Sequence, residues 1–146
     1  MKPHHRRILQ AVLYEAIALA LVSPTLALVF GKSGGTALGV SVVMTLIALG
    51  WNYVFNTLFE RWERRQSQRG RTLARRMLHS AGFEGGLTVL LVPVMVGMLD
   101  LTWLDALLAD MALSVFFLGY SFVFTWLFDR VFGLPESARP QAPDPA

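Results

Sequence analysis

Four apolar blocks, roughly residues 8–30, 38–59, 77–99 and 106–128, dominate the chain. Each is about twenty residues or slightly longer, the length a helix rising 1.5 Å per residue needs to cross about 30 Å of hydrocarbon. Transmembrane strands would instead show segments of about ten residues with period-two alternation, and a run such as LYEAIALALV does not alternate. With 54% hydrophobic and 16% charged residues, the 146-residue chain is far from an average soluble composition. The prediction is an all-α integral membrane domain of four transmembrane helices. Lys2, His4, His5, Arg6 and Arg7 precede the first block in the manner of a signal peptide. That block is too long for a typical signal core and carries Glu15, so it reads as a retained helix. The absence of cysteine excludes disulfides and thiolate metal sites.

Basic residues set the expected orientation. Lys2, Arg6 and Arg7 lie before the first helix, and seven arginines, at 61, 64, 65, 69, 71, 75 and 76, crowd the connection between the second and third. The other two connections hold Lys32 and no basic residue, so both termini and the middle loop are expected to be cytoplasmic. The resulting map is a helix pair over 7–61, a basic loop over 62–75, a second pair over 76–130 and a tail over 131–146. The basic loop lacks interleaved aromatics and sits between two spans, so it reads as a topology determinant touching anionic headgroups, with no nucleic-acid partner. The Pro- and Ala-rich tail has no apolar periodicity and is expected to be disordered.

Sliding the chain along itself reveals a tandem repeat. At an offset of 69, RILQAVLYEAIALALVSP falls on RMLHSAGFEGGLTVLLVP, aligning Arg7 with Arg76, Glu15 with Glu84 and Pro24 with Pro93. The same offset lays WNYVFNTLFER on YSFVFTWLFDR, aligning Phe55 with Phe124, Glu60 with Asp129 and Arg61 with Arg130. Chance similarity of apolar helices does not keep Arg, Glu and Pro in register at one offset. Each repeat is a helix pair starting and ending on the same side, so the repeats are parallel, related by an axis near the membrane normal.

Glu15 and Glu84 each lie eight residues beyond the arginine that opens their helix, about 12 Å along it and near mid-membrane. Asn52 stands eight before Glu60, and Ser121 eight before Asp129, so each glutamate is level with a polar residue of the next helix. Asn52 and Asn56 share one helix face. Hydrocarbon penalises the charged form of a carboxyl, so such a glutamate holds either a proton or, facing a hydrated cavity, a cation. Mutual exclusion of the two is the simplest physical basis for proton-coupled antiport. The alternative is a glutamate that only packs helices, bonded to Tyr14 or Asn52.

Gly82 and Gly86 form a G-x-x-x-G face that lets another helix approach to backbone contact. Pro24 and Pro93 each remove a backbone bond, to Ala20 and Val89, and permit a kink. Most of the tryptophans, 51, 62, 103 and 126, read as interfacial anchors. Trp51, at mid-membrane beside Asn52, is the exception and offers a cation–π surface. The candidate coupling residues are Glu15 and Glu84. Tyr14, Trp51, Asn52, Asn56, Tyr120 and Ser121 are candidates for supporting the ligand, and Glu60 and Asp129 are acids at the cytoplasmic edge.

Four runs, Arg7 with Tyr14-Glu15, W51-N-x-x-F-N-x-x-F-E60, R76-x-x-H-x-x-x-F-E-G-G86 and Y120-x-x-x-F-x-x-x-F-D129, resemble the motifs of the proteobacterial antimicrobial compound efflux family, built from two bacterial transmembrane pair domains. The resemblance spans Arg6 to Arg130. It implies a proton-coupled exporter of cationic biocides such as chlorhexidine, or of short-chain diamines, in the bacterial inner membrane, with Glu15 coupling proton to substrate. Phe128 stands where a tyrosine is expected and removes a hydroxyl beside Asp129; Ser80 stands where alanine is common.

Two other classes compete. A cofactor or electron-transfer bundle would have to use His79, and a second intramembrane histidine is absent, so bis-histidine haem would require a dimer. A non-transporting assembly factor gives no reason for paired mid-membrane acids. Enzyme chemistry finds no nucleophile, metal cluster or phosphate loop, and no cofactor is expected. Four helices are few for a complete pathway, which points to a homodimer.

Overall fold

A computed structural model describes residues 3–66 and 72–133. They form four helices, α1 Pro3–Phe30, α2 Gly34–Arg64, α3 Leu73–Leu99 and α4 Trp103–Phe132, and among the described residues there is no strand. In lipid every backbone donor and acceptor must be satisfied within the chain, which a continuous helix does. All four are long and apolar enough to cross a membrane. They also run past the apolar blocks: α2 is 31 residues, about 46 Å, because the arginines that follow Phe59 favour helix. The helical ends therefore reach into the basic connection, and α4 continues through residues 131 and 132 of the expected tail. Residues 67–71 and 134–146, which carry the rest of those two expectations, lie outside the described residues.

The two tight turns repeat the sequence offset in their geometry. Gly31 ends α1 at φ +62° and Asp100, 69 residues later, ends α3 at φ +52°. Ser33 caps α2 by accepting from Thr36 N at 3.1 Å, and Thr102 caps α4 by accepting from Asp105 N at 3.1 Å. These caps satisfy backbone donors that a helix start leaves open. Lys32 Nζ donates to Asp100 at 3.3 Å, joining the two turns.

Near the turns the bundle is closed by a packed core that includes Val22, Leu26, Val40, Met95 and Leu99. Toward the termini the packing is aromatic. Phe55 stacks on Phe59 and Phe124 on Phe128, each with centroids 5.8 Å apart at 26°. Pro24 and Pro93 sit inside α1 and α3, which continue through them. Between the core and the aromatic end the four helices separate around a cavity.

Candidate functional site

The cavity has a volume of about 720 Å³ and is walled by all four helices, within the 300–1,000 Å³ range of small-molecule sites. Glu15, Asn52, Glu84 and Ser121 all stand on its wall, with Tyr14, so the residues that counting placed level in depth share one space. Each glutamate faces a hydroxyl on the following helix. Glu15 meets Thr45, and Glu84 accepts from Ser114. Thr45 and Ser114 are themselves 69 residues apart, so the repeat extends from the acid to its partner. The partners named for a glutamate that only packs helices are engaged elsewhere: Tyr14 bonds Ser121, and Asn52 accepts from Asn56.

Asp110 was not legible as a site residue from the repeat. It lies on the same wall, 3% exposed, accepts from Thr88 Oγ1 at 2.6 Å and is close enough to Glu84 for their charges to interact. The signal was present in LLADMALSV, a lone acid in an apolar run, as with Glu15. The repeat concealed it, because its counterparts are Ser41 for Asp110 and Leu19 for Thr88. The second half of the site thus carries two carboxylates where the first carries one.

Other candidates stand off the wall. Trp51 is not a free cation–π face: its indole packs at Gly86 and its Nε1 donates to Phe83 O at 2.9 Å. Tyr120 likewise donates to Tyr14 O at 2.7 Å, while Tyr14 and Ser121 share a 2.7 Å hydroxyl bond. Each aromatic donor therefore ties the carbonyl just before the other repeat's glutamate. The Gly82 and Gly86 face admits aromatic rings from α2, not a second backbone. A Cβ at Gly82 would lie 3.1 Å from the Phe55 ring, and one at Gly86 would overlap the Trp51 indole. Asn56 sits behind the wall, donating to Asn52 Oδ1 at 2.7 Å and facing His79 Nε2 at 2.8 Å. His79 is thus tied to an amide and packed edge-on against Phe55 and Phe59.

The edge acids differ. Glu60 is exposed at the end of α2, whereas Asp129 pairs with Arg6. Arg6 also donates to Gly133 O at 2.9 Å and lies 5.0 Å over the Phe128 ring, so the residue that departs from the motif serves as a cation–π floor. Among the described residues no group of His, Asp and Glu could hold a metal ion.

Four helices long and apolar enough to cross a membrane, around a ligand-sized cavity whose wall carries three carboxyls, define a multi-pass membrane protein of the kind in which intramembrane acids mark ion or substrate pathways. The sequence model of the family described as chlorhexidine efflux transporters, of bacterial transmembrane pair domains, matches residues 2–65 and again 71–134. The two matches begin 69 residues apart, the offset of the repeat. A short-chain diamines transporter of Vibrio parahaemolyticus is 39% identical over 127 residues, covering 87% of this chain and 90% of its own. Proteins of the same description from Acinetobacter baumannii and Acinetobacter baylyi are 34% and 32% identical, covering 86% of this chain and 87% and 89% of theirs. No solved structure matches the chain. The chain belongs to the proteobacterial antimicrobial compound efflux family, and is a transporter, not an enzyme.

Proposed function

We propose that the protein exports small cationic compounds, hydrophobic biocides such as chlorhexidine or short-chain diamines, in exchange for protons. Glu15 holds a proton in one state and the cation in the other; Glu84 supplies a second anionic contact. The observation that carries this reading is the placement of both glutamates on one cavity wall, each facing a hydroxyl at the repeat-equivalent position. A carboxyl with a hydroxyl partner is satisfied in either protonation state, since the hydroxyl can donate or accept. The family match and the names of the relatives support the ligand class. Two acids at equal depth suit a ligand with two positive charges, and Asp110 adds negative charge to the second end. The arginine distribution supports cytoplasmic termini in the inner membrane, with the packed core toward the outer side. The small size of the bundle supports a homodimer.

Proton-driven uptake into everted proteoliposomes tests the reading, comparing the unaltered protein with Glu15→Gln over several cations. Loss of binding and transport together supports one shared site. Binding retained with transport lost would reduce Glu15 to a coupling residue, and transport unaffected would sink the exchange mechanism.

A further inference from the structure

A twofold relation between the repeats exchanges the α2–α3 seam with the α4–α1 seam, and the aromatic side chains obey it. Trp51 reaches Phe83 O across the first seam as Tyr120, its counterpart, reaches Tyr14 O across the second. Phe55 meets Phe83 edge-on with centroids 5.7 Å apart, and Phe124 meets Tyr14 edge-on at 5.2 Å. The backbones do not obey it. α2 and α3 lie in close contact, while α1 and α4 scarcely approach each other.

The difference lies in what the aromatic rings rest on. In α3 the ring-bearing face is Gly82 and Gly86, and the missing side chains let the Trp51 and Phe55 rings sink onto the helix. The counterparts in α1 are Leu13 and Ile17, two large side chains one turn apart on one face. They leave no such recess for the rings of α4, and Ile17 remains 42% exposed. On α4, Val115 and Leu118 line the cavity while 72% and 77% exposed. What bridges this seam is a few side chains rather than packed backbone: the Tyr14–Ser121 bond, the Tyr120 bond to Tyr14 O, the Tyr14 ring against Tyr120 and Phe124, and Arg6 on Asp129 and the Phe128 ring. The core that closes the bundle lies at the other end, so these bridges can open without unpacking it.

We propose that the α1–α4 seam is a lateral portal through which the apolar body of an amphipathic cation passes between lipid and cavity, and that Leu13 and Ile17 set its width and thereby the girth of cation admitted. The proposal rests on the transport reading. A cation entering here passes Tyr14 and meets Glu15 next in the same helix. A short diamine has little apolar surface, does not partition into hydrocarbon and gains nothing from this route.

Two measurements test it. The chain lacks cysteine, so paired spin labels can be placed at Ala16 and Phe122 across the α1–α4 seam and at their counterparts Gly85 and Tyr53 across α2–α3, all four exposed. The portal requires a longer distance for the first pair; equal distances overturn it. A strong distance between copies singly labelled at Phe122 would mean a second copy covers the seam, and also overturns it. Leu13→Ala with Ile17→Ala should let the helices close, since small residues permit near approach, and shorten the first distance. Transport of chlorhexidine should then fall about tenfold or more, the discrimination a reshaped apolar passage gives, with 1,4-diaminobutane little changed. If the unaltered protein moves neither cation, the transport reading fails and the portal with it. If it moves both and the variant alters them equally or not at all, the portal alone fails.

Discussion

The Thr88 hydroxyl donates to the Asp110 carboxylate at 2.6 Å across the α3–α4 seam, and this acid is more deeply buried than either glutamate. Its two chemical features separate by mutation. Thr88→Val leaves a buried acceptor short of a donor, which costs about 1–3 kcal/mol. Asp110→Asn keeps the shape and the bond but removes a buried charge, so thermal unfolding in detergent should be unchanged or shifted upward. Titration calorimetry should nevertheless show a dication binding about tenfold more weakly, the order a lost charge contact gives, with a monocation less affected. Equal loss for both would confine Asp110 to folding.

How far the sequence carried this result depends on which signals survive duplication. Four spans were legible because hydrocarbon thickness dictates their length. Glu15, Glu84, Asn52 and Ser121 were legible because depth can be counted from a basic edge, and all four share the cavity. Asp110 was hidden because its counterpart is a serine and no match drew attention to it. The role of Gly82 and Gly86 was half legible: small residues announced a close approach, but only coordinates show that Phe55 and Trp51 rings occupy it. Tyr120 and Trp51 misled for a related reason. Their polar atoms point across a seam to backbone carbonyls, a direction that helix phase does not encode.

Two adjacent glycines of α3 should respond oppositely to the same change. At Gly85 a Cβ meets nothing within 4 Å, so Gly85→Ala should stabilise by about 0.5–1 kcal/mol through reduced backbone entropy. At Gly86 a Cβ overlaps the Trp51 indole, and overpacking of this kind costs about 1–3 kcal/mol. Trp51→Phe, which forfeits the bond to Phe83 O, should cost about 1 kcal/mol. Melting midpoints in one detergent decide the order, and a destabilised Gly85→Ala would count against the packing described.

The competition between proton and cation proposed for Glu15 predicts a sign. Under that exchange the cation-bound state holds fewer protons than the free state, so binding should strengthen as pH rises and weaken as pH falls. Where Glu15 is mostly protonated, apparent affinity should drop about tenfold per pH unit. Glu15→Gln should flatten that profile. Calorimetry in buffers of different ionisation heat should detect a proton released on binding to the unaltered protein and none with Glu15→Gln. A profile equally steep in both would place the exchanging group elsewhere, with Glu84 the next to test.

Arg6 ties α1 to the end of α4 through Asp129, Gly133 O and the Phe128 ring. Its side chain is 13% exposed and that of Asp129 25%, so solvent screens the pair less than a surface bridge. A guanidinium serves carboxylate and carbonyl together where a lysine ammonium presents a single point of charge, so Arg6→Lys should cost about 1 kcal/mol, the scale of one lost bond. Arg6→Ala strands a partly buried carboxylate and should cost about 2–3 kcal/mol, below the full penalty of a deeply buried pair. Adding Asp129→Asn removes the stranded charge and should recover part of that loss, so the two changes combine to less than their separate effects. A double-mutant cycle on melting free energies measures the coupling. Strict additivity would mean that the Arg6–Asp129 pair does not hold the α1–α4 seam.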